Sequence, residues 1–210
     1  MSKNEANWRY AEEVVVEPEA IQRARQLSLE LGVEAISAAT GAQCALVAAA
    51  SGARSIVEVG TGVGVSGSWL FRGAPGATLT TIDIEPEHSQ QARGVFADAG
   101  IPASHARFIV DRAADVLPRM NENSYDIVLI DADLSSVLEY AEHGLRLVRP
   151  GGTVLLPHAL ANGAVSDPAN RDDVAADLRA LFSEISSSAA VISALSPVGD
   201  GLFQITRLAN

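Results

Sequence analysis

The chain has 210 residues and a formal net charge of −11, with 48% hydrophobic and 20% charged residues, a composition typical of an ordinary folded domain. The negative charge argues against nucleic acid or an anionic membrane surface as a partner and suits a cationic small molecule. The alternative interpretation is that the acidic residues only keep the protein soluble. The single cysteine, Cys44, excludes an internal disulfide framework. The sequence has neither a signal-peptide pattern nor an apolar run that could span a bilayer, so we expect a cytoplasmic protein that does not bind membranes.

No repeat, low-complexity tract or long linker divides the sequence, so we expect a single domain over residues 1–210. The first fifty residues are predicted to form a helical extension. One of its helices is expected to begin at Pro18 and to end at Gly32, since proline and glycine are typical of a helix start and a helix stop.

Short apolar runs then alternate with helical segments, which indicates an α/β fold with helices on both faces of a mostly parallel sheet. The five predicted strands are 54–60, 78–84, 106–110, 125–133 and 153–157. Two further β-rich runs flank the turn residues Gly199, Asp200 and Gly201. These two runs are too close in sequence for a helical crossover, so they are predicted to pair as an antiparallel hairpin that completes a seven-stranded sheet.

A glycine-rich segment, GTGVGVSG at residues 60–67, follows the first predicted strand and carries the G-x-G-x-x-G spacing of dinucleotide-binding loops from Gly62 onward. Asp83 ends the next strand, where a carboxylate can hold the ribose of NAD or of S-adenosylmethionine (SAM). Glycines that serve packing alone and an aspartate that caps a helix are the alternative interpretations of these residues.

The carboxylates on this edge of the sheet favour SAM over NAD. Glu58, two residues before Gly60, would repel a pyrophosphate but attract the ammonium and sulfonium groups of SAM. Asp131 and Asp133 end the fourth strand on the same rim, and we expect no arginine or lysine nearby. The sequence therefore predicts a SAM-binding site.

Five segments, in this order and spacing, resemble the cation-dependent O-methyltransferase family, which includes catechol and caffeoyl-CoA O-methyltransferases. They are IVEVGTGVGVSGSWL, LTTIDIEPEH, YDIVLIDAD, LVRPGGTVLL and PVGDGLFQITRL. The likeness runs from about residue 30 to the C-terminus and is greatest to actinobacterial-type members. It implies a class I methyltransferase (Rossmann-like) fold, a homodimer, and SAM-dependent O-methylation of a small, typically aromatic hydroxyl compound.

The resemblance also implies the roles of individual residues. Asn162 matches a position near the substrate, and Asp131 is expected to bind the substrate and to take part in catalysis. The segment around Ile36 is expected to close over the cofactor, Asp83 to hold its ribose, and Ser66 to contact its carboxylate. The full set of implied cofactor-binding residues is Ile36, Glu58, Gly60, Thr61, Ser66, Asp83, Ile84, Ala113 and Asp133.

The chain departs from the family where the chemistry takes place. The family binds a divalent cation through the aspartate that corresponds to Asp131 and through an Asp-Asn pair, and it carries a lysine three residues after that aspartate. Here Pro157 and His158 replace the pair and Leu134 replaces the lysine, which makes a bound metal doubtful.

Three alternatives follow from these replacements. In the first, the chain methylates without a metal, with His158 as general base and Asp131 orienting the substrate. In the second, it binds a different metal through the same two residues. In the third, it binds SAM without catalysing a reaction. We favour the first, because histidine is the side chain best suited to proton transfer near neutral pH.

Overall fold

A computed structural model describes residues 3–209, and these residues form a seven-stranded sheet with helices packed against it. The strands are β1 (Ser55–Val59), β2 (Thr78–Asp83), β3 (Ala106–Val110), β4 (Tyr125–Ile130), β5 (Val148–Leu156), β6 (Val191–Ser196) and β7 (Leu202–Arg207). The helices are α1 (Lys3–Glu13), α2 (Glu19–Leu31), α3 (Ala38–Ala50), α4 (Val65–Gly73), α5 (Pro86–Asp98), α6 (Ala113–Val116), α7 (Val137–Leu147) and α8 (Asp173–Ser187). Short 3₁₀ turns lie at Ala103–His105, Leu117–Arg119, Leu134–Ser136 and Ala161–Gly163.

The strand order is β3-β2-β1-β4-β5-β7-β6. Strands β1 to β5 pair in parallel, whereas β7 runs antiparallel to both β5 and β6. The predicted mostly parallel sheet with a C-terminal antiparallel hairpin is therefore confirmed. From β1 the chain adds β2 and β3 on one side, and it then returns to add β4 and β5 on the other side. The strand order therefore reverses between β1 and β4, and a ligand crevice is expected between the carboxyl ends of these two strands.

Helices cover both faces of the sheet because alternate residues of its inner strands point to opposite sides. In β1, Ile56 belongs to a buried cluster with Cys44 of α3 and Leu70 of α4. Its neighbour Val57 belongs to the cluster on the other face, which includes Leu178 of α8. The same alternation makes the strand sequences almost continuously apolar.

The N-terminal helix α2 packs outside this frame and begins and ends as predicted. Pro18 lies at its N-cap and Gly32 at its C-cap, where Gly32 adopts a left-handed φ of 67°. Its buried face includes Ile21 and Ala24, which pack with Trp69 of α4. In residues 3–209, no helix is long and apolar enough to cross a membrane.

Strand β5 differs from its prediction, since it begins at Val148 rather than at residue 153. Val148 pairs with Tyr125 before an irregularity, after which the regular register resumes with Thr153 opposite Ile127. Pro150 lies within that irregular part, where the missing N–H of a proline does not interrupt the parallel ladder. Pro157 falls just beyond the strand end.

Candidate functional site

A cleft of about 620 Å³ opens at the carboxyl ends of β1, β2 and β4, where the strand order reverses. Nine of the residues that the sequence predicts in the site line this cleft, namely Ile36, Gly60, Thr61, Ser66, Asp83, Ile84, Ala113, Asp131 and Asp133. They come from five separate stretches of the chain, so the fold brings the predicted cofactor residues together.

The segment that precedes α3 covers one side of the cleft. Val33 to Ile36 line it, and Arg25 of α2 donates a hydrogen bond of 2.8 Å to the carbonyl oxygen of Ile36. The Arg25 guanidinium also pairs with Glu17 at 2.6 Å. These contacts fix Ile36 at the cleft, where the resemblance places it.

The glycine loop owes its shape to backbone conformations that favour glycine. Gly60, Gly62 and Gly64 have φ values of 91°, 48° and 90°. A Cβ on Gly60 would lie 1.8 Å from the carbonyl oxygen of Asp131, so only glycine lets the ends of β1 and β4 approach each other this closely. Close packing of β1 against β4 therefore requires glycine at position 60, and the same loop lines the cleft.

Asp83 joins the end of β2 to the glycine loop. Its Oδ2 accepts a hydrogen bond of 2.9 Å from the Gly62 amide. Its Oδ1 accepts one of 2.9 Å from the Glu85 amide and lies 3.2 Å from Nδ1 of His88. The N-cap of α5 is Glu85, so Asp83 does not cap that helix, and its carboxylate lines the cleft instead.

Glu58 occupies a different position from the one expected. It has no exposed surface, and its carboxyl oxygens bind the hydroxyls of Ser66 at 2.7 Å and Thr81 at 2.6 Å. Burial raises the pKa of Glu58 to about 8; the bonds from Thr81 and Ser66 act in the opposite sense, and nearby carboxylates add to the rise. The expected direct approach of its charge to the cofactor is thus corrected: Glu58 supports Ser66, which lines the cleft.

Asp131 and His158, the two predicted catalytic residues, lie next to each other. Oδ1 of Asp131 is 3.6 Å from Nε2 of His158, and Oε1 of Glu34 is 3.7 Å from Nδ1 of the same ring. Burial raises the pKa of Asp131 to about 6; the neighbouring His158 lowers it and Glu34 raises it. Asp131 and Glu34 line the cleft, whereas His158 does not line it and borders it through its contacts with these two carboxylates.

A divalent-metal site does not fit these residues. Of the four positions that carry the family's metal ligands and lysine, Pro157 has no side-chain donor and Leu134 is apolar. Only Asp131 and His158 could contribute a ligand. Within the described residues, no group of three or more histidine, cysteine, aspartate and glutamate side chains could hold a metal ion. Magnesium prefers oxygen ligands, and of the three positions that bind the metal in the family only Asp131 offers one here.

Asn162 does not line the cleft, and the structure gives it a backbone role. Its φ is 52°, and its amide donates a hydrogen bond of 2.7 Å to Oδ2 of Asp200. The amides of Ala159 and Leu160 bond the carbonyl oxygens of Gly201 and Asp200 at 3.2 and 2.8 Å. The loop that carries His158 is thus held by the turn between β6 and β7.

The cleft also contains residues for which the sequence predicts no role. Arg112, which directly precedes α6, lines the cleft, so the expectation of no nearby arginine is wrong. Its position just after β3, at the edge where the parallel strands end, is the sequence feature that could have predicted this placement. His88 lines it as well and contacts Asp83. Tyr140 of α7 also lines the cleft, and its hydroxyl donates a hydrogen bond of 3.5 Å to Oδ1 of Asp133.

Comparison with known proteins matches residues 12–208 of this chain to the O-methyltransferase family. A Mycobacterium tuberculosis H37Rv protein named "Probable O-methyltransferase" is 41% identical over 207 residues, which cover 98% of this chain and 92% of that protein. A Mycobacteroides abscessus relative is 39% identical over 204 residues, which cover 97% of this chain and 95% of the relative.

Solved structures with the same fold include proteins whose sequences are also similar. The O-methyltransferase TomG from Streptomyces achromogenes, involved in tomaymycin synthesis and solved in complex with SAM, has a TM-score of 0.84 and 30% identity over the full length of both chains. A Corynebacterium glutamicum protein has a TM-score of 0.90 and 28% identity, covering 100% of this chain and 99% of the other. Sequence and fold together show that the chain belongs to the O-methyltransferase family.

Proposed function

We propose that this protein transfers the methyl group of SAM to a hydroxyl oxygen of a small aromatic compound, and that it does so without a metal ion. The observation that carries this proposal is the 3.6 Å approach of His158 to Asp131 at the edge of the cleft. An imidazole stands there where the family's Asp-Asn metal ligands would be, and it offers a base in place of a Lewis acid.

The cleft residues fit SAM. Asp83, a largely buried carboxylate at the end of β2, suits the ribose hydroxyls. The start of α4 presents its amides and Ser66 to the cleft, which suits the carboxylate of the methionine part. Ile84 is 60% exposed and forms an apolar surface for the adenine. The SAM complex of TomG, a relative with 30% identity, supports the same ligand.

His158 and Asp131 would divide the proton transfer between them. SAM, when bound, supplies an electrophilic methyl group. His158 accepts the proton of the substrate hydroxyl, and the negative charge of Asp131, 3.6 Å from Nε2, stabilises the protonated ring. A positioned base contributes roughly 10²- to 10⁴-fold to a rate. Methyl transfer otherwise depends mainly on the alignment of the reacting atoms, so the loss of the metal ligands does not by itself prevent it.

Calorimetric titration tests the first half of this proposal. The protein is titrated with SAM and, as a control, with NAD, in magnesium and again in EDTA. We expect SAM to bind in both buffers and NAD to bind in neither. If SAM fails to bind in either buffer, the methyltransferase proposal is wrong for this chain.

A screen of phenolic compounds tests the second half, with formation of S-adenosylhomocysteine (SAH) as the readout. For any methylated compound, His158→Gln should lower kcat by about 100-fold or more while the affinity for SAM stays unchanged. His143→Gln, on α7 outside the cleft, is the matched control and should keep full activity.

Leu134 supports a second candidate function, a SAM-binding protein without transferase activity. The lysine expected at this position is replaced by an apolar side chain in the turn Leu134–Ser136. SAM binding by calorimetry, combined with no SAH formation in the phenol screen, would favour this candidate over the enzyme.

A further inference from the structure

The hydrogen-bonding capacity of Asp83 is almost filled by the protein itself. An ionised carboxylate offers about four lone-pair sites to donors. In Asp83, one is used by the Gly62 amide, a second by the Glu85 amide and a third by the ring of His88. About one site remains, yet a ribose presents two hydroxyl donors. A second acceptor at this end of the cleft would therefore serve the other hydroxyl.

His88 has the position and the chemistry to be that acceptor. It lies near the start of α5 and lines the cleft, with 26% of its side chain exposed. Nδ1 is 3.2 Å from Oδ1 of Asp83. Because an ionised carboxylate only accepts hydrogen bonds, Nδ1 must carry the proton, and in a neutral ring Nε2 is then left as an acceptor. Nε2 makes no hydrogen bond to the described part of the chain.

We propose that His88 is a ribose-binding residue: its Nε2 accepts a hydrogen bond from one ribose hydroxyl of the cofactor, and the free site of Asp83 accepts one from the other. Asp83 thus has a second task, since it fixes the ring tautomer that makes Nε2 an acceptor. This inference rests on the proposed binding of SAM and adds a specific contact to it.

The experiment compares three ligands by calorimetry: SAH, its 2′-deoxy analogue and its 3′-deoxy analogue. Each is titrated into the wild type, His88→Leu and the control His143→Leu. We expect His88→Leu to bind SAH roughly 3- to 10-fold more weakly, the loss typical of one hydrogen bond. The analogue that lacks the hydroxyl bound by His88 should bind wild type and His88→Leu equally well, and His143→Leu should match the wild type throughout.

The outcomes separate this inference from the broader one. Unchanged SAH binding by His88→Leu, or an equal loss for all three ligands, would show that His88 has no ribose contact of its own. Failure of the wild type to bind SAH and SAM would instead overturn the proposed function. Thermal unfolding checks that each variant is folded, and His88→Ala, tested in the same way, replaces any leucine variant that is not.

Discussion

A buried carboxyl beneath the glycine loop makes the stability of this protein depend on pH. Glu58 has no exposed surface and its pKa is raised to about 8 by burial, whereas an unfolded glutamate titrates near its ordinary value of about 4.3. The folded state therefore holds this proton more tightly than the unfolded state. The resulting stabilisation is fully present below about pH 4 and is lost as the pH rises through about 8.

We expect the free energy of unfolding to fall between pH 6.5 and 8, with a slope of at most about 1.4 kcal/mol per pH unit from this group. Glu58→Gln, a neutral mimic that retains donors and acceptors for Ser66 and Thr81, should flatten the slope. Asp126→Asn is the control: burial opposes the shift, but hydrogen bonds from the Arg54 and Ser55 amides and from Arg149 hold the pKa of Asp126 below its ordinary value, so this carboxyl does not titrate in the range. Urea unfolding at several pH values measures the slope, and an unchanged slope in Glu58→Gln would contradict this account of Glu58.

Two glycines of the same loop should differ sharply in their tolerance of a side chain. Gly60 and Gly62 both have positive φ, but an added Cβ would lie 1.8 Å from a backbone oxygen at Gly60 and 3.5 Å from the Val33 side chain at Gly62. Gly60→Ala adds a backbone clash to the conformational strain, so we expect it to lower the unfolding free energy by about 3 kcal/mol or more. Gly62→Ala, the matched control, should lose about 1 kcal/mol; equal losses in urea unfolding would refute the distinction.

The loop after β5 is a strained element that positions His158. His158, Ala161 and Asn162 all adopt positive φ, between 48° and 55°, although none is a glycine. Such conformations cost of order 1–3 kcal/mol each and persist only where their surroundings hold them. Here the support comes from the β6–β7 turn, through hydrogen bonds from the loop amides to Asp200 and Gly201.

Asp200 should accordingly affect catalysis without touching the cofactor. In Asp200→Leu the Asn162 amide loses its side-chain acceptor, and we expect the displaced loop to lower kcat about 10-fold, as a small misplacement of a catalytic group can. The affinity for SAM should not change. Asp200→Asn keeps an acceptor oxygen and should recover most of the activity. A loss of SAM binding, measured by calorimetry, that parallels the loss of kcat would point to general unfolding instead.

At the scale of the elements, the sequence contains most of the fold. The apolar runs and the close spacing of the last two strands are local features, and they predict the sheet and its antiparallel hairpin. Because parallel strands end at one edge, residues such as Asp83 and Asp131 can be assigned to one site without a structure. The early start of β5 is not predictable in this way, since it depends on the pairing of Val148 with Tyr125.

The parts of the site that escape prediction depend on packing between distant segments. Glu58 is adjacent to the glycine loop in sequence, but its burial follows from the way α4 covers β1. The contact of His158 with Glu34 joins the N-terminal segment to the end of β5. Arg112 and His88 enter the cleft because β3 and α5 border it, a placement that requires the strand order of the whole sheet.

At the scale of the whole molecule, the chain combines an intact cofactor cleft with an altered metal site. We expect methyl transfer to proceed at the same rate in EDTA and in magnesium, because Asp131 alone of the family's three ligand positions still offers an oxygen to a hard cation. Initial rates with a substrate from the phenol screen measure this. Activity that EDTA abolishes and magnesium restores would show that a metal participates.

A variant that restores the family's metal ligands provides the matched comparison. Pro157→Asp together with His158→Asn adds two oxygen donors beside Asp131, which sits at the end of β4 on the same sheet edge. We expect this double variant to lose activity in EDTA, because His158 is gone, and to regain some of it in magnesium, which prefers oxygen ligands and lowers the pKa of a bound hydroxyl. A double variant that is inactive in both buffers but still binds SAM would contradict this expectation. The two ligand positions alone would then not be enough to replace activation of the hydroxyl by His158 with activation by a metal, and other residues of the acceptor site would have to differ as well.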